Sequence, residues 1–296
     1  MDNWPTADCL MCQKLAADGQ NRKYRHNSGG LRMNDTDNAT IARHMFAEKL
    51  AADASALAER YFHHPEDLKI ESKNPRDFVS EADRLVEKMI RDQIAIVYPN
   101  DDIVGEEGGG VETEAYWSLD PIDGTSNFLA GIPLWGVSIA FCENKVPTVG
   151  AISIPILDIL VSASVAADGI RLNGEVKMKR QSSEIPTISI GQSPYWDTAS
   201  YRKAEDIFRN AGLECMIYRC SVVSIVFAAL GLTHGYYEEN TNMWDVAAGS
   251  VIAKQAGLNS NIVRDNEDNR LTISILTNEL YEIVNDNLAE KRLAEL

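Results

Sequence analysis

The chain predicts a mixed architecture, α+β in its first half and α/β in its second, and three observations carry that expectation. Stretches 137–141, 146–154 and 159–165 are rich in β-branched and aromatic residues and are separated by Asn144-Lys145 and by the region of Pro155, the pattern of an antiparallel meander. Beyond residue 183, strand-like and helix-like segments alternate. A length of 296 residues suits one large domain or two smaller ones, each with a sizeable core.

Residues 1–38 are polar, rich in Gly and Asn and without sustained periodicity, so they are expected to form a flexible N-terminal extension. From Ala39, the residues Ile41, Met45, Leu50, Leu57 and Tyr61 recur near helical spacing, with Asn38 as a candidate cap and Pro65 as the stop. An extended stretch 68–71 and a polar loop 72–76 follow. A second helix is expected after Asp77, capped by Ser80, with Leu85, Val86, Met89, Ile90 and Ile94 on its buried face and Pro99 beyond its end. A short strand at 103–104 then leads to Glu106 and Glu107, and a glycine-rich loop returns to the strand before Asp120. Asp168-Gly169 and Asn173-Gly174 are turn signals.

A boundary near Ser182 divides a first half, 39–182, from a second, 183–296. In the second half, strands are expected at 188–191, 214–218, 235–238 and 271–276. Helices are expected after Asp197, at 222–230, at 245–256 with Gly257 as the stop, and at the C-terminus. No solenoid period is present.

A formal net charge of −16 and the lack of a Lys/Arg-rich run argue against nucleic acid held by basic patches and against anionic membrane surfaces. No apolar run reaches about 18 residues, and no basic-then-apolar leader opens the chain, so a cytoplasmic protein is expected. Five scattered cysteines, Cys9, Cys12, Cys142, Cys215 and Cys220, read as reduced thiols; the Cys9-x-x-Cys12 pair lacks the further ligands of a zinc site.

The stretch 120–128 reads DPIDGTSNF. Asp120 and Asp123 flank a proline and are followed by Gly124, so a turn can bring both carboxylates toward one hard cation such as magnesium. The same composition also describes an ordinary surface turn. A Gly105-Glu106-Glu107 triplet upstream and a WDVAAG stretch from Trp244 to Gly249 decide between these readings. With these three motifs in this order, the chain resembles the magnesium-dependent, lithium-sensitive inositol monophosphatases over Ala39 to the C-terminus.

That resemblance implies a layered αβαβα sandwich of the inositol monophosphatase and fructose-1,6-bisphosphatase type, and a homodimer. It implies two or three magnesium ions: Glu106, Asp120 and the carbonyl of Ile122 at one, Asp120, Asp123 and Asp245 at another. Thr125 and Asp83 would orient the attacking water, Glu106 would receive its proton, and Glu107 would be a more peripheral acid. Successive N–H groups of Gly124, Thr125 and Ser126 would hold phosphate without a basic side chain. Asp123 and Glu238 would meet substrate, Glu238 accepting from a hydroxyl of a polyol-like leaving group. Bland roles stand beside these: Ser80-x-x-Asp83 has capping-box spacing, Asp245 suits an N-cap, and Glu238 suits a solvated strand end.

The implied activity is hydrolysis of inositol 1-phosphate or a similar small polyol phosphate by metal-activated water. Alternatives on the same metal site are histidinol-phosphate phosphatase, fructose-1,6-bisphosphatase and 3′-phosphoadenosine phosphatase. A non-catalytic member that binds another macromolecule is a further one. Three departures bear on the leaving-group side: the placement of Lys73, the stretch Arg219-Cys220-Ser221-Val222-Val223, and Gly257-Leu258-Asn259.

Overall fold

The computed structural model describes residues 35–67, 70–74, 77–177, 182–265 and 270–284. Most of the predicted extension, with Cys9 and Cys12, lies outside the described residues. In chain order the elements are α1 (Asp35–His63), β1 (Ile70–Asn74), β2 (Asp77–Ser80), α2 (Glu81–Val97), β3 (Asp102–Gly105), β4 (Ala115–Asp123), α3 (Thr125–Leu129), β5 (Gly136–Glu143), β6 (Val146–Ile154), β7 (Ile159–Ser164), β8 (Ile170–Leu172) and β9 (Glu175–Lys177). The second half adds β10 (Thr187–Ile190), α4 (Thr198–Asn210), β11 (Glu214–Met216), α5 (Ser221–Leu230), β12 (Gly235–Thr241), α6 (Met243–Gln255), β13 (Asn259–Arg264) and β14 (Leu271–Leu276). Residues 278–284 are helical and close the described chain as α7.

Seven strands form one sheet in the order β3-β4-β5-β6-β7-β8-β9, antiparallel throughout except that β3 runs parallel to β4. The second sheet has the order β11-β10-β12-β14-β13, parallel at β11-β10-β12 and antiparallel beyond. The meander and the alternating second half are thus as predicted.

Strand alternation builds the layers. On β5, Val137, Ile139 and Phe141 face a core shared with Ala47, Ala51, Ala54 and Ala58 of α1 and Val86, Ile90 and Ile94 of α2. Ala140 and Cys142 point the other way, into a core with α5, α6 and the inner face of the second sheet. Ile188, Ile190 and Tyr237 leave the second sheet's outer face toward Phe208 of α4 and Leu280 and Val284 of α7. The result is five layers, αβαβα. Contact between layers is close where glycine permits it: a Cβ on Gly150 of β6 would lie 2.3 Å from the carbonyl oxygen of Ala248 on α6.

Several local expectations are corrected. Helix α1 already includes Asn38, which is therefore not its cap. The expected polar loop 72–76 is in part strand, since β1 and β2 pair as an antiparallel hairpin. Leu85 is exposed, because the buried stripe of α2 is Ala82, Asp83, Val86, Glu87, Ile90 and Ile94; two acids occupy it and turn Leu85 outward. Helix α6 starts at Met243, so Asp245 sits inside its first turn with Asn242 as the cap. Strand β13, unpredicted, is a polar edge strand. Among the described residues, no helix is long and apolar enough to cross a membrane.

Candidate active site

In a regular strand, residues three apart point to opposite faces, so Asp120 and Asp123 on β4 would diverge. They do not, because β4 bulges: Asp120 pairs with Ser138 and Asp123 with Gly136, three steps on one strand against two on the other. The extra residue returns Asp123 to the side of Asp120. Both are buried, and the Oδ1 of Asp120 accepts from the N–H of Ile122 at 3.0 Å, which folds the bulge.

Gly124 then takes φ +85°, where a side chain would be strained, and a Cβ would lie 3.0 Å from that of Cys220. The chain turns into α3, whose first closing bonds are from the N–H groups of Asn127 and Phe128 to the carbonyl of Gly124, at 2.8 and 3.0 Å. The N–H groups of Gly124, Thr125 and Ser126 precede that closure and have no intrahelical acceptor. Thr125 donates from Oγ1 toward the carbonyl of Ile122 at 3.1 Å and the Oδ1 of Asp83 at 3.3 Å. The second contact joins two residues named from the sequence, and Asp83 is fully buried in the first turn of α2.

Glu106 follows β3 and is joined to the strand of Asp120 by its N–H, which donates to the carbonyl of Leu119 at 3.2 Å. Asp245 reaches the site from the opposite layer. Ser138, the pairing partner of Asp120, donates to the carbonyl of Trp244 at 3.1 Å and so fixes the start of α6 beside β4. The Asp245 carboxylate accepts from the N–H of Asn242 at 2.9 Å and from Thr241 at 2.8 Å.

Electrostatics tie the set together. Burial, and then the charges of Glu106, Asp123, Asp245 and Asp83, push the Asp120 carboxyl far above the usual range. Burial followed by Asp245 raises Asp123 to about 8, against the N–H of Val222 at 2.6 Å and the Cys220 thiol at 3.4 Å, which favour its ionised form. Asp245 is raised chiefly by burial. Buried oxygen donors that raise one another's pKa fit a hard cation in kind. In spacing they differ from the sequence expectation: among the described residues, no three Asp, Glu, His or Cys side chains close on one point as a ligand group. Like charges repel, and Asp120, Asp123 and Asp245 are each turned to a separate backbone N–H.

Glu238 lies on β12 and is buried rather than solvated, with burial raising it to about 7. Its Oε2 accepts from Ser221 at 3.1 Å and from the hydroxyl of Tyr236, two residues away on the same face. A Cβ on Gly191 would collide with its carboxyl carbon at 2.2 Å, so glycine there admits it. Ser221 belongs to the stretch that departs from the family pattern, so that departure falls directly on Glu238.

Four contributors went unseen in the sequence. Val222 and Cys220 hold Asp123, and Asn127 bridges the carbonyls of Leu134 and Tyr218 at 2.7 and 2.8 Å, bracing the wall that carries Cys220. Glu87 grips the loop after Glu106. Only Glu87 had a signal, a charge recurring four residues after Asp83 on an otherwise apolar helix face.

The model of the inositol monophosphatase family matches residues 42–293. The uncharacterized protein y4fL of Sinorhizobium fredii is 39% identical over 215 residues, covering 72% of this chain and 77% of its own length. The Nus factor SuhB of Xylella fastidiosa is 30% identical over 221 residues, 71% of this chain and 78% of the relative. The crystal structure of the extragenic suppressor protein suhB from Bartonella henselae superposes with a TM-score of 0.71 at 26% identity, covering 81% of this chain and 95% of that one. A fold that superposes over most of its length, and a family match over most of the sequence, lead to one conclusion: the chain belongs to the inositol monophosphatase family.

Proposed function

We propose that this chain is a magnesium-dependent phosphomonoesterase acting on inositol 1-phosphate or a similar small polyol phosphate. The observation that carries this reading is Asp120, a buried carboxyl of β4 on which Glu106 after β3, Asp123 of β4, Asp245 of α6 and Asp83 of α2 all act, from three successive layers. Glu106, Asp120, the carbonyl of Ile122, Asp123 and Asp245 would hold two or three magnesium ions. Bound there, magnesium would neutralise phosphate charge and make a water a better nucleophile.

The chain's own groups divide the remaining work. Thr125 and Asp83, already paired, orient the attacking water, and Glu106 receives its proton. The first N–H groups of α3 hold phosphate oxygens. Glu238 accepts from a hydroxyl of the leaving group, with Ser221 and Tyr236 fixing its Oε2. An acceptor this buried discriminates, because an analogue lacking the hydroxyl forfeits a bond that no water would readily replace there. We place the enzyme in the cytoplasm as a homodimer.

The test is phosphate release from inositol 1-phosphate, histidinol phosphate, fructose 1,6-bisphosphate and 3′-phosphoadenosine 5′-phosphate, with magnesium and with chelator, for the wild type and Asp120→Asn. Inositol 1-phosphate or another polyol phosphate is expected to be preferred, with activity lost in chelator and in the variant. Turnover of Asp120→Asn close to wild type at excess magnesium refutes the assignment. No magnesium-dependent turnover of any substrate favours a non-catalytic member.

A further inference from the structure

We infer that Glu87, with Arg91, is a positioning residue that sets the direction of Glu106, so that one helix aligns the proton acceptor with the water-orienting pair. This rests on the phosphatase reading above. The side chain of Glu87 is 2% exposed, deep for a carboxylate. Its Oε2 accepts from the N–H of Glu107 at 2.8 Å, and its Oε1 accepts from the N–H of Gly108 at 2.8 Å and from Nε of Arg91 at 2.6 Å. Arg91 also donates from Nη2 to the carbonyl of Gly109 at 2.6 Å. The pair thus holds three consecutive residues of the loop immediately after Glu106.

On its other flank, Glu106 is fixed by its own N–H on Leu119, and the loop is closed by reciprocal bonds between Gly105 and Gly109 at 3.1 and 3.0 Å. The loop presses against the carboxylate: a Cβ on Gly105 or Gly108 would lie 2.5 or 2.6 Å from Oε1 of Glu87. Glycine at both positions lets the backbone approach, and the carboxylate replaces the water that those amides would otherwise bind. Glu106 is therefore the residue suspended between a grip on β4 and a grip on α2.

Asp83 and Glu87 stand one helical turn apart on the buried face of α2. Asp83 meets Thr125, and Glu87 meets the Glu106 loop. A shift or rotation of α2 would move both together, keeping water orientation and proton acceptance in register. A bound cation at Glu106 would gain from a carboxylate already aimed, in the way that groups behind a ligand raise metal affinity.

The experiment uses the full chain stripped of metal, titrated with manganese(II) by calorimetry, for wild type, Glu87→Gln and Arg91→Ala. Gln keeps the size but offers only one acceptor oxygen, and the Arg91 side chain, 27% exposed, lies nearer the surface than Glu87. Manganese affinity is expected to fall about tenfold or more in Glu87→Gln and less in Arg91→Ala. Amide exchange is expected to quicken at residues 106–109 without change along α2. The magnesium needed for half-maximal activity should rise, and kcat at saturating magnesium should fall more in Glu87→Gln than in Arg91→Ala, because a misaimed Glu106 is a poorer proton acceptor. If both variants bind manganese like wild type, the assignment of Glu87 is overturned, even if they melt earlier. If Glu87→Gln fails to fold, unchanged affinity in Arg91→Ala overturns it alone. A wild type that binds no manganese sinks the phosphatase reading itself, a result distinct from these.

Discussion

Thr125 is the residue at which packing and chemistry make opposite forecasts. Its hydroxyl spans the carbonyl of Ile122 and the carboxylate of Asp83, and the proposed role is to orient the attacking water there. Thr125→Ala is expected to lower the catalytic rate roughly a hundredfold, the scale of a positioned proton-transfer group. Thr125→Val keeps the shape without the hydroxyl and should be as slow, while Thr125→Ser should recover part of the rate. Steady-state rates that rank Val near wild type would leave Thr125 as a turn residue. At this scale the motifs named Asp120, Asp123, Thr125, Glu106 and Asp245 as candidates. What could not be read is why Asp120 and Asp123 share a side, since alternation puts them on opposite faces and only the bulge against Gly136 and Ser138 reverses that. Cys220 and Val222 were equally hidden, lying nearly a hundred residues from the carboxylate they hold.

Among the elements, α1 shows how a helix is tied to the sheet by a polar contact inside an apolar interface. His44 is buried and meets Ser162 of β7 at 2.9 Å; Ser162 also donates to Glu48, which takes Nε of Arg171 at 2.8 Å. Burial, opposed by Glu48 and aided by Arg171, lowers the His44 pKa from 6.5 to about 4. The unfolded chain therefore binds a proton near pH 6.5 that the folded chain refuses until about pH 4, and stability falls as pH drops through that window. The full loss from one such group is ~3 kcal/mol. His44→Gln keeps a hydrogen-bonding group and removes the titration, so urea unfolding at pH 7 and pH 5 should show a smaller loss in the variant. Equal losses would refute the assignment to His44. α1, β5, β6, β7 and α5 were found because each carries a sustained apolar pattern, β5 and β6 burying both faces and α5 nearly its whole surface. Periodicity failed for β13, a polar edge strand, and for Leu85, because α2 buries two acids that hydropathy places outside.

At the scale of the whole molecule, the site is a seam between layers: β4, α2 and α3 bring Asp120, Asp123, Asp83 and Thr125, and α6 and β12 bring Asp245 and Glu238. The layered architecture followed from family motifs rather than from composition, and the charge of −16 acquires meaning where Glu106, Asp123, Asp245 and Asp83 all act on the buried Asp120. That gathering has a thermodynamic consequence. Asp120 and Asp245 are raised, Asp123 stands at about 8 and Glu238 at about 7, burial being the first cause in each. Each folded-state pKa exceeds its unfolded value, so the folded chain holds more protons between about pH 4 and pH 8. Stability from these groups is present below the unfolded pKa and is lost as pH rises through that interval. For Glu238 alone, moving from 4.5 to about 7 corresponds to ~3 kcal/mol. His44 acts in the opposite sense below pH 6.5, so metal-free protein should be most stable in mildly acidic buffer and weaken toward pH 8. Magnesium competes with protons for the same oxygens and binds only the folded chain, so its stabilisation should grow with pH. Thermal melts at pH 6, 7 and 8, in chelator and in excess magnesium, read this directly. A falling Tm in chelator that magnesium flattens is expected, and a magnesium-induced rise in Tm no larger at pH 8 than at pH 6 would separate cation binding from these carboxylates.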